Sequence, residues 1–123
     1  MEIIKPEVHE KAWGFEEWVA NRDYCGKIML LKKGFRCSIH YHKNKDETFY
    51  ILSGKVLFEL GDEKAIMVQG DVILVEPGVK HRFTGLEDSK IIEFSSHHED
   101  DDSYRDTESG SVDLSELDLE VLE

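Results

Sequence analysis

Three observations predict an all-β fold, a jelly-roll barrel of short strands. Apolar runs of four or five residues recur between Lys27 and Ser96, separated by glycine-bearing turns. No ten-residue stretch between them carries a convincing amphipathic helical period, and His40 and His42 have the spacing that puts both rings on one face of a strand. With 123 residues the chain makes one two-layer domain and is too short for a second.

The elements follow in order. Residues 1–24 are a lead-in whose Trp13-Gly14-Phe15-Glu16-Glu17-Trp18 would pack two tryptophans over a barrel edge. The barrel, residues 25–98, is expected to have eight strands: Ile28 to Leu31, Cys37 to Tyr41, Thr48 to Leu52, Val56 to Leu60, Ala65 to Val68, Val72 to Val75, His81 to Thr84 and Ile91 to Phe94. Turn signals stand at Ser53-Gly54, Gly61-Asp62, Gly70-Asp71 and Pro77-Gly78, the first closing a hairpin. Residues 99–123 are an acidic C-terminal extension. Ser109-Gly110-Ser111 reads as its flexible hinge, and its six aliphatics from Val112 onward are expected to dock, as an edge strand on a partner subunit or as a short helix.

Charge narrows the partners. Residues 1–96 carry 14 Lys/Arg against 16 Asp/Glu, whereas residues 97–123 carry one Arg against 11 acids. A nearly neutral barrel with an acidic tail lacks the clustered cations that nucleic acid requires. No apolar stretch approaches a membrane span, and acids stand among the first ten residues in place of a basic and apolar signal, so a cytoplasmic protein is expected. Cys25 and Cys37 have neither CxxC spacing nor a disulfide-dense context and read as reduced packing residues.

His40, His42, Glu47 and His81 carry the chemistry. Three imidazoles and one carboxylate are a credible shell for one divalent transition metal per chain, and ligand type alone does not choose among Zn, Mn, Fe, Co and Ni. Strand parity puts Arg36 and Ser38 on the face of His40 and His42, Phe49 and Ile51 on that of Glu47, and Phe83 on that of His81. On the last strand either Glu93 or its neighbours Ile92 and Phe94 point inward, and parity leaves that choice open.

The run from Gly34 to Gly54 reads Gly, five residues, His40, one residue, His42, four residues, Glu47, six residues, Gly54. It resembles the first motif of the cupin superfamily, and Gly70-Asp71-Val72-Ile73-Leu74-Val75-Glu76-Pro77-Gly78-Val79-Lys80-His81 resembles the second, with Glu76 in place of a frequent proline and Gly85 in place of an asparagine. The resemblance implies the double-stranded β-helix form of the jelly roll, a homodimer, and the metal shell named above. A narrower resemblance, from Lys11 to about Arg105, is to the cupin domains of type II mannose-6-phosphate isomerases and related sugar isomerases. Lys11-Ala12-Trp13-Gly14-Phe15-Glu16, Lys27, His42, Glu47, Ser53, Gly54, Gly78, His81 and Arg82 carry it. His40 stands where those proteins often have glutamine, and Ser111 where they have an arginine.

The expected activity is therefore metal-dependent isomerisation or epimerisation of a sugar or sugar phosphate through a metal-stabilised enediolate. Glu93 and Lys27 are the expected catalytic residues, and Arg36, Tyr50 and Phe83 the expected substrate contacts. The same four ligands also suit an iron-dependent dioxygenase or a non-catalytic, metal-containing carbohydrate-binding barrel. His97 and His98, beside four acids, read as solvated.

Overall fold

The computed structural model describes residues 1–122, with the backbone alone at Val121. Its strands are β1 (Glu7–Lys11), β2 (Gly14–Asn21), β3 (Tyr24–Leu31), β4 (Phe35–Arg36), β5 (His40–His42), β6 (Glu47–Ser53), β7 (Lys55–Leu60), β8 (Glu63–Val68), β9 (Val72–Val75), β10 (His81–Gly85), β11 (Ser89–Ser96), β12 (Ser103–Arg105) and β13 (Gly110–Ser111). Three short 3-10 turns, at Asp100–Asp102, Leu114–Glu116 and Glu120–Leu122, are the only helical pieces among the described residues. No helix there is long and apolar enough to cross a membrane.

Two antiparallel sheets face each other. One runs β1-β2-β3-β11-β6-β9, the other β12-β5-β10-β4-β13, with β7 pairing β10 and β8. Inward residues alternate along each strand, as the period of two demands: Cys25, Lys27, Met29 and Leu31 on β3, and Glu47, Phe49 and Ile51 on β6. Phe49, Ile51, Val56, Phe58, Phe83 and Ile91 fill the space between the sheets, and Trp13 closes one end edge-on to Phe83. The apolar core thus occupies one part of the sandwich and the polar residues of the site occupy the remainder. On the outer face of the first sheet, Val72, Leu74 and Phe94 are each more than half exposed.

All eight expected barrel strands have counterparts, and the jelly-roll form is as expected. Four local differences have physical causes. The lead-in is built into the first sheet as β1 and β2, with Trp13 in the core and Trp18 stacked on His9. Gly14 makes this close approach possible: its φ is +147°, and a Cβ there would lie 1.9 Å from the Leu30 carbonyl oxygen. The Cys37 to Tyr41 run is strand only from His40, within β5, and residues 37–39 separate it from β4, because Ser38 and Ile39 donate their N–H groups to Ser109 Oγ and Thr107 Oγ1 instead of to a strand.

Ser109-Gly110-Ser111 is no free hinge, since Gly110 and Ser111 pair with Arg36 and Phe35 as β13. The tail folds back on its own barrel in 3-10 turns, the last lying against β8, with Val112, Leu114, Leu117, Leu119 and Leu122 half-buried.

Candidate metal centre

Strand pairing assembles the cluster. His81, first residue of β10, is the direct partner of His40 on β5, His42 lies two residues farther along the same strand, and Glu47 opens β6 on the facing sheet. The three imidazoles offer ligand nitrogens that all lie within 4.8 Å of one another. Glu47 Oε1 is 3.4 Å from His42 Nε2 and 3.3 Å from His81 Nε2. Donors each about 2.1 Å from a common ion lie roughly 3–3.4 Å apart as neighbours around it, so the two Glu47 contacts have the spacing of adjacent ligands of a first-row divalent ion.

Backbone carbonyls set the tautomers. The Nδ1–H of His40 donates to Ser38 O at 2.8 Å, that of His42 to Asp102 O at 3.1 Å and that of His81 to Val79 O at 3.0 Å. A carbonyl only accepts, so Nδ1 carries the proton and each Nε2 lone pair is left to coordinate. Burial, with the neighbouring imidazoles, pushes the His40 pKa down to about 3. Burial and the Lys45 charge push that of His42 down to about 4. Both rings are therefore neutral at pH 7, the form that binds metal.

Among the described residues, two buried side-chain atoms lack any hydrogen-bond partner, Glu47 Oε1 and His81 Nε2, and both face this cluster. Buried polar atoms are rarely left so. An ion held by His40, His42, His81 and Glu47 would satisfy both, so these residues fit a metal.

The cluster lies in a cavity of about 90 Å³. That is well under the roughly 300–1,000 Å³ of drug-sized ligand sites. Of the residues expected at the site, Lys27, Phe83 and Glu93 line it with the four candidate ligands except His81, which lies sealed beneath. Glu93 points inward, resolving the parity that sequence left open. Its Oε2 accepts from Lys45 at 2.8 Å and Ser95 Oγ at 2.8 Å, which leaves Oε1 for the cavity. Burial raises the Glu93 pKa, but the ammonium groups of Lys45 and Lys27 outweigh it and hold the carboxyl below its ordinary range. Lys27 Nζ sits 3.7 Å from Glu16 Oε1 and 4.3 Å over the Trp18 ring, at ion-pair rather than hydrogen-bond range.

Arg36 and Tyr50 do not reach the cavity. Parity from His40 back to Arg36 fails because residues 37–39 are not in a strand, and the Arg36 charge is felt instead by Glu59, which pairs with Arg82. Tyr50 alternates with the buried Phe49 and Ile51 and so lies on the outer side of β6.

Three residues were missed. Lys45 is buried and bridges Glu47, Glu93 and His98. Its signal was parity, two residues before Glu47. His98 is not solvated: it lines the cavity, takes Lys45 Nζ on Nδ1 at 2.9 Å and donates from Nε2 to Asp100 at 2.9 Å. Asp102 is buried, and its carboxylate accepts the backbone N–H groups of Lys43, Asn44 and Lys45, clamping the loop between His42 and Glu47.

Known proteins agree with this architecture. The chain is 31% identical to the uncharacterized protein YdbB of Bacillus subtilis over 80 residues, 64% of this chain and 68% of that one. KdgF from a Halomonas species superposes with a TM-score of 0.67 at 27% identity, covering 71% of this chain and 81% of its own. Oxalate decarboxylase of Bacillus subtilis superposes with a TM-score of 0.72 at 18% identity, over 81% of this chain but 30% of its own, a likeness of fold alone. Residues 27–95, which hold all four candidate ligands and Glu93, match the cupin domain family, and to that family this chain belongs.

Proposed function

We propose that the protein is a metal-dependent sugar or sugar-phosphate isomerase or epimerase. One observation carries the reading: a carboxylate with one unengaged oxygen, Glu93 Oε1, shares a small cavity with three metal-competent histidines. Isomerisation between adjacent carbons needs an acceptor for the migrating proton within hydrogen-bond reach, worth about 10²–10⁴ in rate. Dioxygenation needs no such group. The narrower sequence resemblance to type II mannose-6-phosphate isomerases supports the sugar class, and Trp13 and Phe83 give the cavity an apolar wall for the carbon face of a sugar.

A divalent ion in the cluster would supply Lewis-acid polarisation of a carbonyl and its neighbouring hydroxyl, acidifying the C–H between them. The protein supplies the rest. Glu93 stays ionised at neutral pH because Lys45 and Lys27 stabilise its charge, so Oε1 is ready to take the proton from one carbon and return it to the next. Lys27 Nζ, with its nearest anion at 3.7 Å, is placed to steady the oxyanion of the enediolate. Phe83 and Met29 exclude water from this end of the cavity.

The test is to incubate metal-loaded protein in deuterated water with a panel of free sugars and sugar phosphates, following loss of the carbon-2 proton by NMR. Exchange or a new isomer is expected, abolished by His42→Ala, and abolished by Glu93→Gln with metal content unchanged. No exchange across the panel with one ion bound per chain would overturn the isomerase reading. Oxygen uptake with iron loaded would then identify a dioxygenase.

A further inference from the structure

We propose that Lys45 is a positioning residue that divides the labour of two carboxylates. Its ammonium takes Oε2 of both Glu47 and Glu93, so that Glu47 offers only Oε1 to an ion and Glu93 offers only Oε1 to a substrate. The inference rests on the metal reading of the histidine cluster but not on the isomerase reading.

The geometry is explicit. Lys45 Nζ lies 3.3 Å from Glu47 Oε2, 2.8 Å from Glu93 Oε2 and 2.9 Å from His98 Nδ1. An ammonium has three donors, and here each has one acceptor. The side chain is buried, and its loop is fixed from behind by Asp102, whose carboxylate accepts the Lys45 N–H at 3.2 Å. The oxygen that Lys45 leaves free on Glu47 is the one that lacks a hydrogen-bond partner and faces His42 and His81. On Glu93, Lys45 and Ser95 converge on the same oxygen, and the other is left to the cavity.

The consequence concerns coordination number. A carboxylate whose second oxygen is engaged elsewhere would bind an ion through one oxygen, so four protein donors would leave open positions for water or a bound ligand. Without Lys45, Glu47 would be free to bind through both oxygens and close one of those positions. Lys45 also places a positive charge beside the cluster, which weakens ion binding relative to a neutral residue.

The experiment compares wild type, Lys45→Met and Lys45→Arg with Mn²⁺ as the probe. Binding is measured by calorimetry, and inner-sphere water is counted from the water-proton relaxivity of the loaded protein. Lys45→Met should bind Mn²⁺ at least about tenfold more tightly while losing relaxivity equivalent to one bound water, and Lys45→Arg should restore both. A merely structural lysine predicts the opposite sign, looser binding. Looser or unchanged binding in a folded Lys45→Met, or unchanged relaxivity, would overturn the proposal. Should that variant not fold, infrared difference spectra of wild type on Mn²⁺ addition decide: the carboxylate stretching separation must be that of one-oxygen ligation, and a two-oxygen signature refutes it. Absence of any Mn²⁺ binding to wild type would instead overturn the metal reading itself.

Discussion

Lowering the pH from 7 to 5 should strip the metal-free protein of about 4 kcal/mol of stability through the two histidines of β5 alone, and His98, whose pKa burial and the Lys45 charge also lower, adds to the loss. In the unfolded chain both rings protonate near the ordinary histidine value of 6.5, whereas in the fold His40 waits until about pH 3 and His42 until about pH 4. The unfolded state therefore binds more protons throughout this window. Stability is complete above the unfolded pKa and is lost as the pH falls toward the folded values. At pH 5 each buried neutral ring costs about 2 kcal/mol relative to pH 7 by that linkage. Carboxylates contribute little there, because their ordinary pKa values lie near 4.

Against a typical total of about 5–15 kcal/mol the effect is large. With a urea slope of about 2 kcal/mol per molar, the midpoint should fall by about 2 M between pH 7 and pH 5. Urea unfolding followed by tryptophan fluorescence measures it, and His40→Asn should halve the fall. A midpoint that moves by less than about 0.5 M, or a His40→Asn variant with the wild-type pH dependence, would refute the account.

Other outcomes follow from particular contacts. Asp102→Ala removes the acceptor for three loop N–H groups beside His42, so Zn²⁺ affinity measured by competition with a chelator should fall about 10–100-fold. Arg36→Ala and Tyr50→Ala, both outside the cavity, should leave metal affinity and substrate exchange within about twofold of wild type, a result that Phe83→Ala should not share. The homodimer expected from the sequence needs an apolar face, and Leu74 and Phe94, flanking Thr48 in one row across the first sheet, provide one. Light scattering should find a dimer that Leu74→Lys with Phe94→Lys converts to monomer, and a wild-type monomer at micromolar concentration would end that expectation.

The parts of the fold that the sequence made legible are those that local rules specify. Alternation along β3 and β6 and the turn at Ser53-Gly54 depend on neighbours in the chain, as does the shared face of His40 and His42. Glu93 was legible as a residue type but not as a direction, because a shift of one residue in the β11 register would have turned it to solvent. Asp102 was hidden more deeply. Nothing local distinguishes it from Asp101, yet one is buried against a loop 57 to 59 residues away and the other is exposed. The lead-in was obscured because Glu16, buried beside Lys27, interrupts an apolar pattern that would otherwise have announced β2.

Charge balance connects the ion, the proton acceptor and the fold. Among the described residues, five buried acidic or basic side chains other than histidine line the cavity: the carboxylates Glu16, Glu47 and Glu93 and the ammonium groups Lys27 and Lys45. Lys27 and the half-buried Lys11, at 3.7 and 3.9 Å, both face Glu16 Oε1, whereas Glu47 and Glu93 share the one ammonium of Lys45, and there buried negative charge is left short of a partner, which is costly. His40 and His42 cannot supply the missing positive charge cheaply, since burial depresses the pKa of both. A divalent ion held by Glu47 Oε1 and the three histidines would correct this shortfall. On the proposed isomerase reading, the positive charge of the ion and of Lys45 would be complementary to the negative charge that develops on a sugar oxygen as Glu93 removes a neighbouring proton. Because Lys45 touches both carboxylates and the Lys27 charge also acts on Glu93, these side chains form one electrostatic unit, and substitutions at Lys27, Lys45 and Glu93 should combine non-additively.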